Sequence, residues 1–204
     1  ISFKMLKVKD KIKFFLICLS FLIISNNSFS IEPNIFVQST VNRASQILSD
    51  NISKQEKIEK LKVIARDTVD IKGIGFYTLG KYRKELSDVQ KEEYNRLFNA
   101  YFLKSFSSRL AEYTNPKIDV QSQEKLNDKY TIVNSILIAT ESRPEVKIQW
   151  RIYTKDSNKP MIRDLIIEGL SLARTQKEEF SSIIQSNDGD IKALFSSLKK
   201  FVTN

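Results

Sequence analysis

The chain of 204 residues contains no histidine and a single cysteine, Cys18. Without an imidazole there is no His base for a serine, cysteine or threonine nucleophile, no His-ligated zinc, and no His-driven switch near neutral pH. One thiol builds neither a disulfide framework nor a Cys-rich metal site. Glycine is scarce as well, with five in the chain, and the few present do not form phosphate loops. Gly73-Ile74-Gly75 is followed by Gly80 five residues on, where a dinucleotide loop needs its third glycine after three, and Tyr82 stands after Gly80-Lys81 where a P-loop needs Ser or Thr. Asp188-Gly189-Asp190 lacks the spaced acidic ligands and closing Glu of a calcium loop, and reads as a turn ahead of a helix.

What is present begins with an export signature. Lys4, Lys7, Lys9, Lys11 and Lys13 precede the apolar run Phe14 to Ile24, which at eleven residues is too short to span a bilayer, and Asn26, Asn27 and Ser28 follow as a polar exit. Ser28-Phe29-Ser30 places small residues at the third and first positions before a cut. Residues 1–30 are therefore expected to be a signal peptide and 31–204 the mature domain, with translation starting at Ile1 or Met5. Bulky Ile17 before Cys18 argues against a lipoprotein. The formal charge of +9 falls to +5 once the five lysines and Asp10 of that segment are gone. The remaining charges alternate in sign along the helices, which removes the basis for nucleic-acid binding. A mature chain without cysteine suits an oxidising compartment reached after export.

Along the mature chain the hydrophobic period changes twice. Ile35, Phe36, Thr40, Val41, Ala44, Ile47 and Leu48 recur at helical spacing, as do Ile58, Leu61, Ile64 and Ala65 behind Ser53, a candidate N-cap. Ser87 and Gln90 form a capping-box signature ahead of a wide aromatic stripe, Tyr94, Leu97, Phe98, Tyr101, Phe102, Phe106, Leu110 and Tyr113, which Asn115-Pro116 ends. Residues 117–123, 130–139, 146–154 and 161–167 then read as four strands joined by short turns. Val146, Ile148, Trp150 and Ile152 alternate with polar neighbours, so one sheet face needs a cover. Two more amphipathic helices follow, carrying Phe180, Ile183 and Ile184, then Ile191, Leu194, Phe195 and Leu198. The expectation is a single α+β domain, with N- and C-terminal helices packed on one face of a mainly antiparallel four-stranded sheet.

Groups for chemistry are few. Glu92-Glu93 and Glu178-Glu179 are adjacent in sequence and diverge on a helix. Asp164, inside a strand, is expected beside a basic residue in a structural hydrogen-bonding role; an acid-base role there is the alternative. The mature chain carries eight Phe, seven Tyr and Trp150, many on helix faces that cover one small sheet. Two readings stand at this point: an ordinary dry core, or helices standing off the sheet around an apolar ligand cavity.

Tyr77-Thr78-Leu79-Gly80-Lys81-Tyr82-Arg83 and the long helix after it resemble the LG-x-Y segment of the MlaC-like, toluene-tolerance family of periplasmic phospholipid-binding proteins. Gln149-Trp150-Arg151 in a strand, Asp164 to Ser171 (DLIIEGLS, matching D-x-x-x-E-G-x-S) and the two closing helices continue the resemblance over about residues 35–200. Arg83 departs from it, standing where many relatives have Trp. The resemblance implies a non-enzymatic carrier with no catalytic residues, no metal and no cofactor. Phospholipid is the cargo, held by its acyl chains in an apolar pocket between helices and sheet. It further implies a periplasmic monomer that shuttles lipid between an outer-membrane lipoprotein complex and an inner-membrane ABC transporter, maintaining outer-membrane lipid asymmetry. Leu79, Phe98, Tyr101, Phe102, Phe106, Ile148, Trp150, Ile166, Phe180 and Leu194 are the expected lining, and Lys81, Arg83 and Arg174 the expected headgroup or docking cations. Two other classes remain: an enzyme on a similar cone of helices and sheet, with Asp164 as base, and an adaptor with a dry core.

Overall fold

The computed structural model describes residues 30–204, so the export signature and Cys18 lie outside the described residues. The compact unit runs Ile31–Asn204, and its first backbone N–H donates to the Ser157 carbonyl at 3.0 Å.

Helix α1 (Pro33–Ser49) starts with proline in its first turn, where a missing N–H costs nothing. Helix α2 (Lys54–Thr68) carries the full capping box of Ser53 and Glu56. A helix not anticipated from the hydrophobic period follows. This is α3 (Ile71–Leu79), nine residues capped by Asp70, whose carboxylate accepts from the Gly73 N–H at 2.8 Å. Its stretch is apolar nearly all round and so shows no amphipathic stripe. Gly80, at φ +55°, ends α3 in a conformation that L side chains avoid, and a 3₁₀ turn (Gly80–Lys84) leads on to α4 (Asp88–Leu110) with its Ser87/Gln90 capping box. The helix stops one turn before Tyr113, which is exposed, and Asn115 reverses the chain at φ +48°.

The strands are β1 (Ile118–Asn127), β2 (Tyr130–Leu137), β3 (Val146–Tyr153), β4 (Met161–Ile167) and β5 (Leu170–Ser171). They form one antiparallel sheet in sequence order. The fifth, two-residue strand adds to the four expected, because Glu168 and Gly169 (φ +49° and +82°) make a tight two-residue hairpin that folds Leu170 back on Ile167. Helices α5 (Leu172–Gln185) and α6 (Ile191–Thr203) complete the chain.

The described helices lie on one side of the sheet in a continuous core that includes Val133, Trp150, Ile152 and Ile162 from the strands and Tyr94, Phe98, Phe180 and Leu194 from the helices. α1 rests on β1 and β2, while α3 and α5 rest on β4. The long helix α4 is different. Its close backbone neighbours are α2, α3 and α6, and it stands off the sheet with its aromatic stripe facing the gap.

One irregularity decides which side chains of β4 face that gap. Trp150 pairs with Leu165 and Ile148 with Ile167, but Ile152 pairs with Ile162, so β4 holds an extra residue beside the Arg151–Ile152 step. This bulge inverts the alternation along the strand. Ile162, Leu165 and Ile167 all turn inward, and Ile166, paired with Gln149, turns to the outer face.

Candidate functional site

Two adjoining cavities lie between α4 and the sheet, with volumes of 220 and 280 Å³. They share Val69, Phe106, Trp150, Ile162, Leu165 and Leu172 as walls, together with Arg109. The first extends beneath Phe98, Tyr101 and Phe102 toward the start of α5. The second extends beneath α1 and α2, past Val41, Leu48, Leu61 and Ile64 to Ile118 and Leu137 at the sheet edge. Both are walled mainly by apolar side chains, and together they reach the range of ligand-binding cavities.

Local chemistry keeps these walls in place. The Trp150 indole N–H donates to Ser135 Oγ at 2.8 Å, and that hydroxyl donates to the Ile148 carbonyl at 3.0 Å, so the polar edge of the ring is satisfied and its apolar faces are free to line space. The rings of Phe102 and Phe106, one helical turn apart, stack with centroids 5.2 Å apart and planes 15° from parallel. Phe98 is held from several sides by the rings of Tyr94, Tyr101, Phe102 and Phe180. Beneath them, Gly75 lets α3 approach: a Cβ there would stand 2.8 Å from the Phe98 ring.

The polar side of the site is the first cavity's rim. The Tyr101 hydroxyl donates to Gln176 Oε1 at 2.8 Å, and Gln176 Nε2 donates to Glu179 at 2.9 Å. Burial first, and Glu179 second, push the Tyr101 phenol above its ordinary pKa, against opposing contributions that include Arg109. Tyr101 is therefore a neutral donor at physiological pH.

Asp164 also reaches the first cavity, yet its oxygens are committed elsewhere. It is 3% exposed and accepts hydrogen bonds from Ser171 Oγ and from the Ala173 N–H at 3.0 Å, with Arg151 Nη1 at 3.6 Å. Ser171 in turn caps α5 by accepting from the Arg174 N–H. The D-x-x-x-E-G-x-S pattern thus has a mechanical explanation. Glu-Gly makes the hairpin, Ser caps the helix, and Asp anchors that cap to β4.

Of the lining residues expected from sequence, Phe98, Tyr101, Phe102, Phe106 and Trp150 meet around the first cavity, and Ile148 borders the second. Ile166 does not join them, because the bulge places it on the outer face, in a separate 440 Å³ hollow with Asn134 and Gln149. Leu79, Phe180 and Leu194 are core side chains, 1, 3 and 0% exposed, and face neither cavity. Lys81, Arg83 and Arg174 are exposed and off the walls; Lys81 lies over the Tyr82 ring and Arg174 pairs with Glu178. The cation that does reach both cavities is Arg109, three residues beyond Phe106 and seven beyond Phe102. That spacing belongs to the aromatic stripe, so the stripe itself carried the signal. Val69, Ile162, Leu165 and Leu172 were likewise not singled out from sequence.

Among the described residues there is no cluster of acidic, His or Cys side chains able to hold a metal, and no helix long and apolar enough to cross a membrane. Comparison with known proteins gives a consistent result. The family described as MlaC protein matches residues 38–200. The intermembrane phospholipid transport system binding protein MlaC of Haemophilus influenzae is 24% identical over 182 residues, covering 84% of this chain and 83% of that protein. A phospholipid-binding protein from Ralstonia solanacearum, solved in complex with a phospholipid, has the same fold, with a TM-score of 0.71 at 17% identity over 85% of this chain and 98% of its own. The family model matches most of the chain, so this chain belongs to the MlaC family and is not an enzyme.

Proposed function

We propose that residues 31–204 form a periplasmic phospholipid carrier, freed from residues 1–30 after Ser30, that holds acyl chains in the two cavities beneath α4. The observation that carries this reading is the stand-off of an aromatic helix from the apolar face of the sheet. A dry core closes such a gap, whereas this one leaves 220 and 280 Å³ behind apolar walls. The H. influenzae relative, a binding protein of an intermembrane phospholipid transport system, and the R. solanacearum protein with its bound phospholipid support the choice of cargo. Each methylene transferred from water to such walls gains about 0.8 kcal/mol, so a soluble protein of this shape shields a chain from water at no energetic penalty.

Phe98, Tyr101, Phe102, Phe106, Ile148 and Trp150 are the proposed acyl-chain contacts. Lys81, Arg83 and Arg174, away from the cavity walls, are candidates for docking rather than for headgroup contact. The partners proposed for docking are an outer-membrane lipoprotein complex and an inner-membrane ABC transporter, between which the monomer would pass lipid. The test is solvent extraction of the exported, purified protein followed by lipid analysis and intact mass. Stoichiometric phospholipid on a chain beginning at Ile31 supports the carrier; a lipid-free protein, or one retaining Phe14 to Ile24, refutes the free shuttle and favours an adaptor or a tethered protein.

A further inference from the structure

The rim of the first cavity carries one exposed charge of each sign, and they are not spent on each other. Arg109 borders both cavities, is exposed, and makes no ion pair among the described residues. Glu179, on α5 across the first cavity, accepts one hydrogen bond from Gln176 and likewise has no cationic partner. Both charges act on the Tyr101 phenol between them, Glu179 raising its pKa and Arg109 lowering it, so they lie within electrostatic reach of one point on the rim. The other exposed or half-buried polar groups there, Tyr101, Ser105, Thr175 and Gln176, supply neutral hydroxyl and amide groups, and the buried Asp164 carboxylate is held by Ser171, the Ala173 N–H and Arg151.

We infer that this rim recognises a zwitterionic headgroup, with Arg109 taking the phosphate and Glu179 the terminal ammonium of an ethanolamine-type phospholipid. The inference rests on the carrier reading and adds a headgroup class to it. A guanidinium matches phosphate oxygens with paired donors, and it sits where both cavities meet, which is where the phosphate of a lipid with one chain in each must lie. A few bonds further from the phosphate, the ammonium needs an acceptor with negative charge, and Glu179 supplies it. An anionic headgroup with a neutral glycerol end would gain from Arg109 but meet a carboxylate with no compensating cation. Because both side chains are largely solvated, the discrimination is modest, about three- to fivefold at low salt and less at high salt.

The experiment uses the mature protein stripped of lipid, incubated with vesicles of equimolar phosphatidylethanolamine and phosphatidylglycerol, re-isolated and extracted. The expected result is a three- to fivefold excess of phosphatidylethanolamine on the wild-type chain. Glu179→Gln should bring that ratio to about one by lowering the phosphatidylethanolamine yield alone, and Arg109→Gln should lower the yield of both lipids severalfold. A wild-type ratio equal to that of the vesicles, a ratio unmoved by Glu179→Gln, or a total unmoved by Arg109→Gln overturns the headgroup assignment while leaving a lipid-loaded carrier standing. Protein that carries no lipid, either as purified or after incubation, overturns the carrier reading and the headgroup assignment together.

Discussion

Leu165 lies on β4 opposite Trp150 and borders both cavities, so Leu165→Trp drives an indole into space that the fold leaves open. In a close-packed interior such an enlargement costs ~1–3 kcal/mol, since side chains leave their rotamers and the backbone shifts. Here the added atoms have 220 Å³ on one side and 280 Å³ on the other, and the expected cost is below ~1 kcal/mol. The cargo feels the change much more. If the indole displaces two or three methylenes of an acyl chain, the loss is ~1.6–2.4 kcal/mol, or about 15- to 60-fold in retention. Leu194→Ala is the counterpart, at a side chain 0% exposed and off both cavities; it should cost ~2–5 kcal/mol and leave lipid binding intact wherever the protein is folded. Lipid phosphate after extraction gives the first quantity, and chemical denaturation of delipidated protein gives the second. Delipidation is essential, since bound cargo raises apparent stability by mass action. A Leu165→Trp protein destabilised by several kcal/mol yet fully loaded would show that these residues are plain core and that the lipid sits elsewhere.

Asp164→Ala strips the acceptor from Ser171 Oγ and the Ala173 N–H, and should destabilise by ~1–3 kcal/mol in denaturant melts while the folded fraction still carries lipid. Gly169→Ala puts a Cβ at φ +82° in the hairpin and should cost ~1–2 kcal/mol by the same measurement, although nothing stands within 4 Å to clash. Burial raises the pKa of Tyr94, which is neutral in the folded protein and shares a 2.8 Å hydrogen bond with Thr78. An unfolded Tyr ionises near pH 10, so folding stability should be unaffected by this group below pH 10 and fall as pH rises above it; Tyr94→Phe should flatten that slope in pH-dependent denaturation.

The fold was legible where local rules act alone. Ser53 is the N-cap of α2 as its position announces, Ser87 with Gln90 makes the capping box its spacing announces, and the alternation of β3 names its inward face as Ile148, Trp150 and Ile152. Legibility fails where a residue's surroundings come from distant parts of the chain. α3 is buried by α4, α5 and β4, so its sequence lacks the stripe that marks a surface helix. Tyr113 has the right spacing for the α4 stripe, but the helix ends before reaching it.

The site divides along the same line, and β4 shows why. Read with strict period two, its apolar residues Ile162 and Ile166 share a face with Asp164, and Ile166 would line the cavities beside Ile162. One inserted residue in the pairing with β3 reverses that choice, sending Leu165 and Ile167 inward and leaving Ile166 on the outer face. A bulge is a property of two strands in register, and no residue of β4 declares it by type. The bulge also brings Asp164 beneath the start of α5, where its carboxylate takes the Ser171 hydroxyl and the Ala173 N–H. A single register shift therefore sets the apolar wall of the cavities and anchors the helix that carries their polar rim. The DLIIEGLS segment consequently serves both as the structural link between β4 and α5 and, through Leu165 and Ile167, as part of the cavity wall that faces the α4 stripe and Arg109.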